Sequence, residues 1–140
     1  MENRTIPNTQ LEVSPVCLGT MTFGTPVDEG DAIGIVHWAL DHGINFIDTA
    51  NIYGNGESEI HIGEALKGKR DQAIIATKFN LNNLEGQSIK DRINQSVDES
   101  LTRLQTDVID LYQIHYALPE ASADEILEPM NALVAVSYTH

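Results

Sequence analysis

A single cysteine, Cys17, rules out an internal disulfide as a source of stability. Basic residues are scarce: eight Lys and Arg stand against 21 Asp and Glu, a formal net charge of −13. A partner gripped through phosphates along its length requires a basic patch, so neither nucleic acid nor an anionic membrane surface is expected as a partner. The one local concentration, Lys67, Lys69 and Arg70, falls where a helix should end. Long apolar runs are missing as well. Nothing approaches the ~18 continuous residues of a membrane span, and the opening MENRTIPNTQ has no apolar signal core. Internal repeats and low-complexity tracts are absent. These absences describe a soluble, acidic, cytoplasmic domain.

Two missing motifs narrow the ways a nucleotide could bind. No G-x-G-x-x-G follows the first expected strand, where Gly19-Thr20-Met21-Thr22-Phe23-Gly24 is the nearest approach. No G-x-x-x-x-G-K-[ST] occurs either, so the usual first-turn phosphate cradle is lacking. Nor is any Ser or Cys flanked by a base, which argues against covalent catalysis. His37, His42 and His61 fall on expected helices with no Cys or carboxylate at ligand spacing, so no metal site is expected.

What is present is a recurring unit, a short apolar run followed by a helix-periodic one, in a chain of 140 residues that is 41% hydrophobic. Val16-Cys17-Leu18 opens the first, with Asp28 as N-cap, Ile33, Val36 and Leu40 on one helical face, and Gly43 as the stop. Ile44 to Asp48 opens the second, whose helix carries Ile62, Ala65 and Leu66 and ends near Gly68. Ala73 to Thr77 reads as a strand buried on both faces. It precedes a helix from Ser88 with Ile89, Ile93, Val97, Leu101 and Leu104 in a stripe. Val108 to Ile114 is the fourth strand, and Ser122 to Glu125 resembles a capping box. Strand then helix, four times, means parallel strands with right-handed crossovers. Periodicity leaves two architectures open, a doubly wound sheet and part of an eight-stranded barrel. Thr5 to Val13 is expected to form a small hairpin turning at Pro7-Asn8, which a barrel tolerates across its bottom end.

Alternation along strands places Phe46 with Asp48, Ile74 and Ala76 with Lys78, and Leu111 and Gln113 with His115. Each strand thus finishes on an ionisable residue at its carboxyl end, and Tyr53 lies in the loop above the same end. Taken singly, each has an ordinary explanation: a loop-capping Asp48, a solvated Lys78, a packing Tyr53, an edge-of-core His115. Their shared end favours a cluster. An ammonium beside a phenol favours the phenolate, a carboxylate holds the ammonium, and a neutral imidazole orients an oxygen that is becoming negative. Such a set suits addition to a carbonyl, with the nucleophile supplied from elsewhere.

Three blocks, in order, are recognisable. They are Val13-Ser-Pro-Val-Cys-Leu-Gly-Thr-Met-Thr-Phe-Gly24, Gly43-Ile-Asn-Phe-Ile-Asp-Thr-Ala-Asn-Ile-Tyr-Gly-Asn-Gly-Glu-Ser-Glu59, and Leu101-Thr-Arg-Leu-Gln-Thr-Asp-Val-Ile-Asp-Leu-Tyr-Gln-Ile-His115. Together they resemble the aldo-keto reductase family. The resemblance implies an α/β fold, the (β/α)8 TIM barrel, of which this chain supplies roughly four strand–helix units and the hairpin. It implies reduction of a small-molecule aldehyde or ketone with NADPH, NADH not being excluded. Tyr53 becomes proton donor, Lys78 and Asp48 its tuning pair, and His115 the substrate orienter. Gly19, Thr20 and Met21 border the nicotinamide, as does Asp48. The family's carboxamide-binding residues, stacking aromatic and basic 2′-phosphate segment have no counterpart here. Residues 1–134 are accordingly expected to be the N-terminal half of such a barrel, with 135–140 a truncated or non-native tail. Such a fragment would be inactive alone and prone to self-association through its open edge. The alternative is a cofactor-binding, redox-sensing subunit of the same fold without efficient turnover.

Overall fold

The computed structural model describes residues 2–82, 84, 86–116, 118 and 120–135. The last five residues, 136–140, which make up most of the expected tail, lie outside them; Ala135 closes the final helix. The chain opens with a hairpin of β1 (Arg4–Thr5) and β2 (Glu12–Val13), paired antiparallel. Four parallel strands follow, β3 (Cys17–Gly19), β4 (Phe46–Asp48), β5 (Ile74–Asn80) and β6 (Leu111–Tyr116), hydrogen-bonded in that order. Between and after them run α1 (Glu29–Asp41), α2 (Glu57–Ala65), α3 (Ile89–Leu104) and α4 (Ala123–Ala135), each packed on the next. Sequential strand order with a helix at every crossover is a partial barrel, and it excludes the strand reversal of a doubly wound sheet.

The caps fall where side-chain chemistry requires them. Asp28 accepts from the Asp31 amide and Ser88 from the Asp91 amide, so α1 and α3 begin as expected. Ser122 and Glu125 form the reciprocal box: the Ser122 amide donates to Glu125 Oε2 at 2.9 Å, and the Glu125 amide to Ser122 Oγ. Strand limits differ more. β5 runs three residues past Thr77 to Asn80, and β6 starts at Leu111 rather than Val108, because ladder pairing rather than apolarity sets a strand's extent. The core face of α1 is Ala32, Val36 and Ala39, with Ile33 and Leu40 only half-buried at its border.

Ile47, Ile75, Phe79 and Tyr112 face the helices and form one core with Val36, Ile62, Ile93, Val97 and Leu104. The opposite face of the sheet carries Phe46, Ile74, Leu111 and Gln113, all half-buried, and Ala76, which is buried; within Ala73 to Thr77 only Ile74 is half-buried, so that run is buried on both faces as expected. Gly63 lets α2 and α3 meet: a Cβ there would lie 2.8 Å from the backbone of Arg103 and Leu104. At the amino ends of the strands, Asn45 Oδ1 accepts from the Ser14 amide and its Nδ2 donates to the Glu12 carbonyl, fastening the hairpin across the bottom. Arg70, read from sequence as part of a helix end, instead clamps that rim. It donates to Asp110 Oδ2 at 2.6 Å and to the carbonyls of Ala73 and Val108, while Asp110 also accepts from the Ile75 amide.

Candidate active site

The carboxyl ends of β4, β5 and β6 bring Asp48, Lys78 and His115 to one edge of the sheet, with Tyr53 above them. Lys78 is at the centre. An ammonium has three protons to donate, and each finds an acceptor: Asp48 Oδ2 at 2.7 Å, the Thr49 carbonyl at 2.7 Å and the Tyr53 hydroxyl at 3.5 Å. The ammonium also lies 5.0 Å from the centroid of the Tyr53 ring. The Lys78 side chain is only 16% exposed and that of Asp48 32%, so the pair is partly shielded from water and screened less than a surface pair.

Tyr53 begins a 3₁₀ turn, Tyr53–Gly56, in which Gly54 and Asn55 are both left-handed, with φ of 57° and 55°. Gly54 is required there. A Cβ would meet the Phe23 carbonyl oxygen at 2.7 Å, so no side chain fits where the β3–α1 connection crosses this loop. The backbone beneath is stitched to β5: the Thr49 amide donates to the Ala76 carbonyl and the Asn51 amide to the Lys78 carbonyl. His115 meets Tyr53 edge to face, with ring centroids 5.6 Å apart and planes at 85°. Its other face stacks on Tyr116 at 4.5 Å. Burial, and then the Lys78 ammonium, hold the His115 imidazole below its usual pKa against an opposing pull from Asp48, which favours the neutral ring at pH 7.

The remaining expected site residues lie on the adjoining rim. Gly19 and Met21 are exposed beside the end of β4, Gly19 being paired with Asp48 in the ladder. Thr20 is fully buried, and its amide and hydroxyl both donate to the Asp48 carbonyl at 3.0 Å, so it can meet a ligand only through its neighbours. Cys17, unassigned from sequence, sits on the same sheet face. Burial of its sulfur and the Asp48 charge push the thiol up to about 11, although the residue as a whole is exposed. Three buried polar atoms, Asn51 Oδ1, Gln113 Oε1 and His115 Nδ1, have no hydrogen-bond partner among the described residues. All three belong to residues beside Lys78 or at this end of the sheet, and polar groups of that kind fit a ligand bearing its own donors and acceptors.

Behind the cluster lies a polar layer of which sequence reasoning singled out only Thr20. Ser58, Thr49, Thr20 and Glu59 are fully buried. Glu59 accepts from Thr77 Oγ1 and from Arg103 Nε, both at 2.6 Å, linking α2 to β5 and α3. The available signal was spacing: Ser58 and Glu59 stand four and three residues before the inward Ile62, which places both on its face of the helix. Trp38 is 58% exposed and stacks on His42. Among the described residues no group of His, Cys, Asp or Glu converges to hold a metal ion, and no helix is long and apolar enough to cross a membrane.

Comparison with known proteins follows the same lines. A statistical model of the aldo/keto reductase family matches residues 15–136. Aldo-keto reductase YhdN of Bacillus subtilis is 44% identical over 143 aligned residues, which cover 95% of this chain and 43% of that protein. The holo form of aldo-keto reductase AKR11C1 from Bacillus halodurans superimposes with a TM-score of 0.89 at 36% identity, covering 99% of this chain and 48% of that one. An aldo-keto reductase from Klebsiella pneumoniae, solved in complex with NADPH, gives 0.82 at 30% identity, over 93% and 44% of the two chains. The chain thus spans less than half the length of each.

Proposed function

The chain belongs to the aldo/keto reductase family, and from that premise we propose that it carries the proton-transfer half of an NADPH-dependent carbonyl reductase that converts aldehydes or ketones to alcohols. The observation that carries this is the Lys78 ammonium held between Asp48 Oδ2 at 2.7 Å and the Tyr53 hydroxyl at 3.5 Å. When bound, a reduced nicotinamide supplies the hydride that becomes the new C–H bond at the carbonyl carbon. As that bond forms, the carbonyl π electrons move to oxygen, and the Tyr53 hydroxyl gives that oxygen its proton. Lys78 stabilises the phenolate left behind, and Asp48 keeps the ammonium in place. A neutral His115 can donate a hydrogen bond to the same oxygen and fix its direction.

The fit of a nicotinamide rests on the exposed Gly19 and Met21 rim next to Asp48, and on the buried acceptors Asn51 Oδ1 and Gln113 Oε1, which have no partner among the described residues and suit N–H groups of a ligand. NADPH as the reductant is supported by the Klebsiella pneumoniae relative in complex with it. The same proposal makes residues 1–134 the N-terminal half of a barrel whose remaining strands would complete the cofactor site. A cytoplasmic setting is part of the same proposal.

The test is Tyr53→Phe in the full-length polypeptide carrying this segment. Removing a general acid costs about 10²–10⁴-fold in kcat, whereas NADPH binding, followed by fluorescence, should stay within a factor of about two. Undiminished turnover in Tyr53→Phe would refute the role given to the phenol.

A further inference from the structure

The Ser58 hydroxyl is buried behind the Asp48–Lys78–Tyr53 cluster, at the start of α2, with no exposure to solvent. It lies 2.8 Å from Thr49 Oγ1, 2.8 Å from Thr20 Oγ1 and 3.0 Å from the Thr20 carbonyl. Thr20 Oγ1 in turn donates to the Asp48 carbonyl at 3.0 Å. One order of donation satisfies every hydroxyl: Thr49 to Ser58, Ser58 to Thr20, Thr20 to Asp48. The peptide joining Asp48 to Thr49 is therefore held from behind at both ends. In front, the same two residues seat the Lys78 ammonium, one through its carboxylate and one through its carbonyl. Ser58 is also five residues beyond Tyr53, on the helix that follows the left-handed turn Gly54–Gly56 directly after the phenol. One hydroxyl thus refers both the seat of the ammonium and the helix after the phenol to a single point.

We propose that Ser58 is a positioning residue, whose hydroxyl, through Thr49 and Thr20, fixes the distance between the Lys78 ammonium and the Tyr53 hydroxyl. The inference rests on the proton-donor role proposed above for Tyr53. The structural alternative is that this buried chain of hydroxyls only contributes stability. The two differ at the phenol. A 3.5 Å contact is at the long end of a hydrogen bond, so a few tenths of an ångström of slack in the seat are felt there. The titratable groups around Tyr53 are Lys78 from β5, its partner Asp48 from β4 and the neutral His115 from β6. Of these, Lys78 is the cation that stabilises the phenolate left by proton transfer, so loosening it slows turnover.

The experiment uses the full-length polypeptide. Ser58→Ala strands two threonine hydroxyls in a dry site. We expect kcat to fall about tenfold, on the scale of one lost hydrogen bond, with NADPH affinity within about twofold of the parent. Because the effect acts through the phenol, the tenfold loss should vanish when Ser58→Ala is added to Tyr53→Phe. Thr49→Val keeps the shape and removes only the donor to Ser58, and it should lower kcat in the same way. It decides the matter if Ser58→Ala does not fold. A kcat that coincides with the parent's, or a loss of equal size with and without the Tyr53 hydroxyl, overturns the proposal whatever happens to the melting temperature. An active Tyr53→Phe would instead overturn the proton-donor role.

Discussion

Glu59 and Arg103 offer the sharpest test of how this fold is held. The Glu59 side chain has no solvent exposure, and its carboxylate is satisfied by two contacts of 2.6 Å, from Thr77 Oγ1 and Arg103 Nε. Arg103 is 23% exposed and has a second, looser carboxylate, Glu99 at 3.9 Å. Removing one member of a buried pair typically costs ~3–5 kcal/mol, because the other charge stays in a dry site. The partial exposure of Arg103 favours the lower end, about 3 kcal/mol for Arg103→Met. Met keeps the apolar stem and deletes only the donors. Arg103→Ala should cost about 1 kcal/mol more, since it also removes the stem packed under Gly56. Combining Arg103→Met with Glu59→Gln removes both charges and should recover roughly half the loss. Urea unfolding followed by circular dichroism measures all three. The single tryptophan, Trp38, is too exposed to report on the core. A loss below about 1 kcal/mol for Arg103→Met would show that water reaches Glu59 and would refute the buried-pair account.

Other perturbations follow from the same contacts. The Tyr112 hydroxyl is buried without a partner among the described residues, while its ring stacks on Phe79 at 4.8 Å. Tyr112→Phe should therefore leave thermal stability unchanged or raise it by up to about 1 kcal/mol; a clear loss would reveal a bond formed by that hydroxyl. Cys17 is exposed, yet its thiol is pushed up to about 11, so alkylation should be slow at neutral pH and accelerate only as pH approaches that value. A midpoint near the ordinary 9.0 would contradict the influence of burial and Asp48. The His115 imidazole is held below its usual 6.5, so the unfolded chain takes up the proton first. Its contribution to stability is complete above 6.5 and declines as pH falls toward the lowered folded value. Melting curves of His115→Gln and the parent should converge with acidification, and parallel curves would speak against it.

Much of this protein follows from local pattern. Asp28, Ser88 and the Ser122–Glu125 box start helices because a side-chain oxygen two or three residues upstream satisfies an amide that the helix cannot. Alternation along β4 and β5 was enough to bring Asp48 and Lys78 to one edge, whereas His115 stands at a register shift of the β5–β6 ladder, between the pairs Phe79–Ile114 and Asn80–Tyr116, that alternation does not show. The recurrence of strand and helix narrowed the architecture to two candidates, and sequential pairing from β3 to β6 then chose the barrel.

Tertiary structure decided the rest, for a physical reason: these contacts join residues distant in the chain, and helical spacing tells at most which face a residue takes, never its partner. Arg70 reads as one basic residue in a helix-terminal cluster until Asp110, forty positions on, supplies its partner. Glu59 reads as a helix-surface acid until α3 brings Arg103 against it and β5 brings Thr77. Ser58 and Thr20 are ordinary small polar residues whose hydroxyls acquire a direction only where the first loop, β4 and α2 close on each other. Sequence alone determined which side chains reach the carboxyl edge of the sheet. The packing of loops and helices behind it set the distance between an ammonium and a phenol, and that distance is the quantity on which the proposed chemistry depends.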